Sequence, residues 1–162
     1  MKTTKKRNKK YSPREIFTNA VDWAIAGSFT FPHATQAEIT LPVYDAFKIM
    51  QQGIATRDDW NMVCSGANLA EALAGLQIGP NLLPAIYAGL DALDKVARRM
   101  LKGGTSTMRA DEMAAIREMI EMYRIQVSLC TQAEFGRAIK KVKDMHRGGA
   151  MKEVAKVYAA MN

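Results

Sequence analysis

The sequence predicts an all-α fold, a single-domain helical bundle of five to seven helices built on a central antiparallel helix pair. Composition is the first observation behind this. Alanine and methionine are plentiful and aromatics make up only 7% of residues, which favours helices over strands. Periodicity is the second. Leu83, Ile86, Leu90, Leu93, Ala97 and Met100 form one apolar series, and Met113, Ile116, Ile120, Tyr123, Val127 and Cys130 form another. Both step 3, 4, 3, 4, 3, which puts each series on one helix face and suits knobs-into-holes packing. The third is the segment between them, Lys102-Gly103-Gly104-Thr105-Ser106-Thr107. Paired glycines end a helix because glycine tolerates the left-handed conformation, and a loop this short returns the next helix on the last. The expected pair is 82–101 and 109–130.

At 162 residues the chain suits one domain with one core. We divide it into a flexible basic arm, 1–11, and a helical domain, 12–162. Apolar content of 48% against 24% charge is ordinary for a globular protein. The net charge of +7 is unevenly spread: +6 over 1–10, −4 over 11–135 and +5 over 136–162. A mildly acidic body with basic ends points to phosphates, an acidic protein or another anionic partner.

The elements follow in order. Ser12-Pro13-Arg14-Glu15 reads as a capping box with proline at the first helical position, opening a helix that stops near Gly27. Residues 28–40 read as a loop, with Phe29 and Phe31 pinning it to the core or, less simply, stacking bases. A second helix is expected over 41–52, with Thr40 as its cap and Pro42 in its first turn. Gly53 followed by Ile54 suggests a Schellman stop with its hydrophobic contact. Thr56 then caps a third helix, with Asp58 and Asp59 where the helix dipole favours negative charge. Ser65-Gly66-Ala67-Asn68 hints at a helix-turn-helix, but Leu69 to Ala74 offers no side chain suited to reading base edges. A single helix through Gly66 is more economical.

Lys95, Arg98, Arg99 and Lys102 crowd the end of the first central helix. There they complement the helix dipole or form an anion-binding patch. Thr131 and Glu134 make another capping box. The helix it opens has Phe135, Ala138, Ile139, Val142 and Met145 on one side. Arg137, Lys140, Lys141 and Lys143 lie on the other, with Arg147 at its end. A last short helix is expected over 150–160. The candidate binding residues are Lys5, Lys6, Arg7, Lys9 and Lys10 of the arm, together with Arg137, Lys140, Lys141, Lys143 and Arg147. Their partner would be nucleic acid, or a protein or nucleoprotein complex.

Catalytic constellations are missing. The sequence has no phosphate-cradling glycine loop and no nucleophile elbow. Asp91, Asp94, Glu118 and Glu121 could share a metal between the central helices, but the Glu-x-x-His pattern of di-metal bundles is absent. His33 and His146 have no ligand partner at a metal-binding spacing. We therefore expect neither an enzyme nor a cofactor. Cys64 and Cys130 read as core thiols of a cytoplasmic protein. The uncharged stretch 73–90 is broken by Pro80, Asn81 and Pro84, so no membrane span is expected. The alternative to a nucleic-acid binder is a protein–protein module or homo-oligomer that uses Met-rich and Ala-rich helix faces.

Three strings carry a resemblance: Gly53-Ile54-Ala55-Thr56-Arg57-Asp58, Ala88-Gly89-Leu90-Asp91-Ala92-Leu93 and Met108-Arg109-Ala110-Asp111-Glu112-Met113. Over roughly 40–140 the chain resembles a family of small uncharacterised helical proteins of phages, prophages and plasmids of proteobacteria. The resemblance implies an accessory protein of a mobile element that binds host machinery, a defence system included. It supplies no functional residues.

Overall fold

The computed structural model describes residues 27–102, 105 and 107–147. The arm, the helix expected over 12–27 up to residue 26, and the helix expected over 150–160 lie outside the described residues. Among the described residues there are five α-helices: α1 His33–Gln51, α2 Arg57–Ala74, α3 Leu83–Leu101, α4 Ala110–Leu129 and α5 Gln132–Arg147. A 3-10 turn, Pro80–Leu82, leads into α3. The fold is an all-α bundle.

The most extensive pairing is between α3 and α4. Arg99 meets Glu112 at the connector end, and Gly89 lies against Met119 further along, so the two run antiparallel. Of the twelve residues in the two apolar series, nine are buried and Leu83, Met100 and Met113 are half-buried. The buried face of each helix is wider than its series. Gly89, Ala92 and Val96 on α3, and Met119 and Gln126 on α4, are also inside. The reason is that α2 packs on both helices and α1 packs on α4.

Helix α1 corrects the sequence reading. It begins at His33, so most of 28–40 is helix rather than loop. Thr40 is no cap: it is buried, and its hydroxyl donates back to the Gln36 carbonyl at 2.9 Å. Pro42 lies mid-helix. A proline there removes one backbone donor, commonly at a cost of about 3 kcal/mol. Here Glu38, Leu41 and Pro42 are all exposed, so the carbonyl left over faces water. Gly53 stops the region with φ of 72°, but Ile54 is 67% exposed.

Helix α2 opens on the expected Thr56, in a reciprocal box with Asp59: the Asp59 N–H donates to Thr56 Oγ1 and the Thr56 N–H to Asp59 Oδ2 at 2.7 Å. The helix runs unbroken through Gly66, which rules out a helix-turn-helix there. A Cβ at Gly66 would sit 3.0 Å from Val43 Cγ1, so the glycine lets α1 and α2 approach. The end of α2 carries a Schellman motif. The Ile78 N–H donates to Leu73 O at 3.1 Å and the Gln77 N–H to Ala74 O at 3.0 Å. Gln77, not a glycine, occupies the left-handed position, with φ of 67°.

Candidate nucleic-acid interface

Helix α5 is positioned by its own sequence. Glu134 accepts hydrogen bonds from the Thr131 N–H at 2.8 Å and the Thr131 hydroxyl at 2.9 Å, and its own N–H donates to Thr131 Oγ1. These bonds hold the Glu134 carboxyl below the usual carboxylate range, the backbone N–H contributing most. One side of α5 then packs inward. Phe135 meets Phe31 edge-on with ring centroids 5.4 Å apart, Ala138 is fully buried, and Ile139 and Val142 are half-buried against the core. The backbone N–H of Gln132 donates to Phe29 O at 3.0 Å, which ties the corner before α1 to the start of α5.

This packing fixes the roll of α5 and turns the opposite side outward. Arg137, Lys140, Lys141, Lys143 and Arg147 are all exposed on it. Ten residues separate the first from the last, about 15 Å of helix at 1.5 Å per residue. Two acids temper the stripe: Asp144, and Glu134, which is 3.9 Å from Arg137. Lys141 also has a local role. Its Nζ is 2.7 Å from where a Cβ on Gly75 would sit, beside the negative end of α2. The structure thus brings together all five predicted cations of this helix. The other five, Lys5, Lys6, Arg7, Lys9 and Lys10, lie outside the described residues. A two-ring stacking platform is not assembled, because Phe31 is spent on Phe135 while Phe29 is 60% exposed.

A second cationic feature lies where α3 ends and α4 begins. A recess of about 450 Å³ is lined by Lys95, Arg98, Arg99, Lys102, Arg109 and Glu112. Four of these cations stood out in the sequence; Arg109 did not, because it reads as the start of a helix. Glu112, read as a first-turn acid, is only 3% exposed. Its two oxygens accept from Arg99 at 2.7 and 2.8 Å, and one also accepts from the Arg109 N–H at 2.8 Å. The Arg99 bonds above all hold its carboxyl below the usual range.

The four acids weighed as metal ligands are otherwise engaged or exposed. Asp91 pairs with Lys95 at 2.7 Å and Asp94 with Arg98 at 2.7 Å. Glu121 accepts from the Tyr44 hydroxyl and from Arg124, and Glu118 is exposed. No three His, Cys, Asp or Glu side chains cluster suitably for a metal ion among the described residues. Both cysteines are free, Cys130 buried and Cys64 half-buried, and burial pushes each thiol up to about 11. No described helix is long and apolar enough to cross a membrane.

Fold and charge together define a helical-bundle protein that carries an exposed basic helix at one end and a cationic recess at the other. No protein-family model, curated protein or solved structure matches the chain.

Proposed function

We propose that this chain is a non-enzymatic nucleic-acid-binding protein of phage or mobile-element type, acting on nucleic acid or on a host nucleoprotein complex. The observation that carries it is the exposed face of α5, where Arg137, Lys140, Lys141, Lys143 and Arg147 stand opposite the side that packs on the core. Such a face neutralises backbone phosphates without reading bases. The arm residues Lys5, Lys6, Arg7, Lys9 and Lys10 would add contacts of the same kind. Inhibition of a host defence system is the role that the sequence resemblance suggests.

The alternative is association through apolar helix faces. Against it, Ala67, Ala70, Ala72, Ala74, Ala92 and Ala97 are buried within the bundle, as are Met50, Met108 and Met119. These side chains are spent on internal packing, although Met62 is 41% exposed.

The test is fluorescence anisotropy with labelled single- and double-stranded DNA and RNA at two salt concentrations. The full chain is compared with Lys140→Glu/Lys143→Glu and with a variant lacking residues 1–10. Binding should fall steeply with salt, and the double reversal should weaken it for every sequence. Each lost contact to duplex DNA should reduce the log–log salt slope by roughly 0.9. Absence of binding at low salt, or binding indifferent to both variants, would overturn the proposal.

A further inference from the structure

The recess between α3 and α4 is separate from the basic helix. Helix α4 has 20 residues, about 30 Å at 1.5 Å per residue. Its first turn lines the recess, while its far end holds Gln126, which reaches Ala70 O and Ile78 O at the close of α2. Helix α5 starts beyond that far end, and Lys141 still lies beside Gly75 there.

The cations of the recess fall into two groups. Arg99 is committed: its guanidinium donates to both oxygens of Glu112, to Thr107 O at 2.8 Å and to Thr105 O at 3.4 Å. It forms a fixed wall. Lys95 and Arg98 are each tied to an aspartate one turn back, and Asp111 adds negative field toward Lys95 and Arg99. Lys102 and Arg109 differ. Both are exposed, and neither makes an ion pair among the described residues. They flank the mouth from the end of α3 and the start of α4. The positive end of the α4 dipole adds to their field.

We propose that this recess binds an organic phosphate monoester, with Lys102 and Arg109 as the side chains that hold the dianion. Two exposed cations without an ion pair beside a helix start suit a doubly charged anion better than a carboxylate, although Arg109 also lends some of its field to Glu112. The volume, about 450 Å³, is in the range of small-molecule sites and leaves room for the group that bears the phosphate. The Arg99–Glu112 clamp supplies what such a site needs from its surroundings. It fixes the end of α3 against the start of α4, so the two cations are presented on rigid elements. The proposal does not depend on α5 binding nucleic acid.

The experiment is an NMR titration of the ¹⁵N-labelled full chain with AMP, with adenosine and with inorganic phosphate, at constant ionic strength set by chloride. AMP should give saturable shifts at the backbone amides of Lys102, Thr107 and Arg109, and adenosine should give none. Whether inorganic phosphate also saturates tells a free-phosphate site from one that needs the organic group. Lys102→Gln/Arg109→Gln should weaken AMP at least tenfold, each single change giving part of the loss. Both side chains are exposed, so the fold should survive the changes, and the undisturbed core signals provide the check. Lys140→Glu/Lys143→Glu should leave AMP binding unchanged. The proposal is overturned by AMP shifts that stay linear into the millimolar range, by equal binding of adenosine, or by unchanged binding to the double variant.

Discussion

Arg99 spends four hydrogen bonds inside the molecule, two of them on one carboxylate. Glu112 is 3% exposed and accepts three. Removing one partner of such a pair leaves the other charged and poorly solvated. Glu112→Ala should therefore lower stability by about 3 kcal/mol, the low end for a buried pair, because Arg99 keeps some access to water. Urea unfolding measures this. The pair also gives a pH signature. The Glu112 carboxyl is held below the ordinary carboxylate range, so the unfolded chain takes up its proton at higher pH than the folded one. The stabilisation is complete above that ordinary range and drains away as pH falls through it toward the folded value. Glu112→Gln should flatten this part of the stability–pH curve, and an unchanged acid limb would contradict the assignment. None of this was legible in the sequence. Spacing along one helix sees neighbours three and four residues apart, whereas Arg99 and Glu112 pair across a hairpin, thirteen positions apart. In isolation each residue fits a simpler dipole role.

At the scale of the helices, the sequence was most readable where one local interaction decides. Thr56 caps α2 as its position implied, with Asp59 closing a reciprocal box that the spacing had not singled out, and the Thr131–Glu134 box forms where its spacing placed it. The central pair also follows its 3, 4 stepping. The start of α1 was misread because Pro42 and Thr40 resemble a helix beginning. Tertiary packing of Val43, Phe47 and Met50 outweighs the proline, whose missing donor costs least on a wet face. The end of α2 carries no such local mark: the left-handed residue is Gln77, not a glycine. Forcing an L side chain into that region costs about 1–2 kcal/mol. Gln77→Gly should return part of this and raise stability by about 1 kcal/mol, after the entropy that glycine loses on folding. A lower thermal midpoint would show that the Gln77 side chain contributes contacts worth more than the strain. Gly89→Ala should act the other way. An added Cβ would meet Met119 Cβ at 2.4 Å, an atom fixed to the backbone of α4. The helices must separate, at about 1–3 kcal/mol, which exceeds the roughly 1 kcal/mol gain in helix propensity.

For the whole molecule, the segregation of charge was plain from the sequence, but where it lies in space was not. The five described cations of α5 emerge on one face, and a second set gathers at the opposite end of α4 from α3 and the connector. The second gathering depends on the hairpin closing, so only its α3 half could be read in advance. The distance between the two sets has a consequence. About 30 Å of α4 exceeds the Debye length of about 8 Å at physiological salt, so neither patch should feel charge changes at the other. A duplex of about eight base pairs, roughly 27 Å long, cannot cover both along that axis. Affinity for such a duplex should therefore fall with Lys140→Glu/Lys143→Glu and hold with Lys102→Glu/Arg109→Glu, and the four changes together should match the first pair alone. Anisotropy titrations at 0.15 M salt, the ionic strength of that Debye length, would measure this. If reversal at the recess weakens the short duplex as much as reversal on α5, the two ends serve one continuous path for nucleic acid, and the division of the molecule into separate anion-binding sites fails.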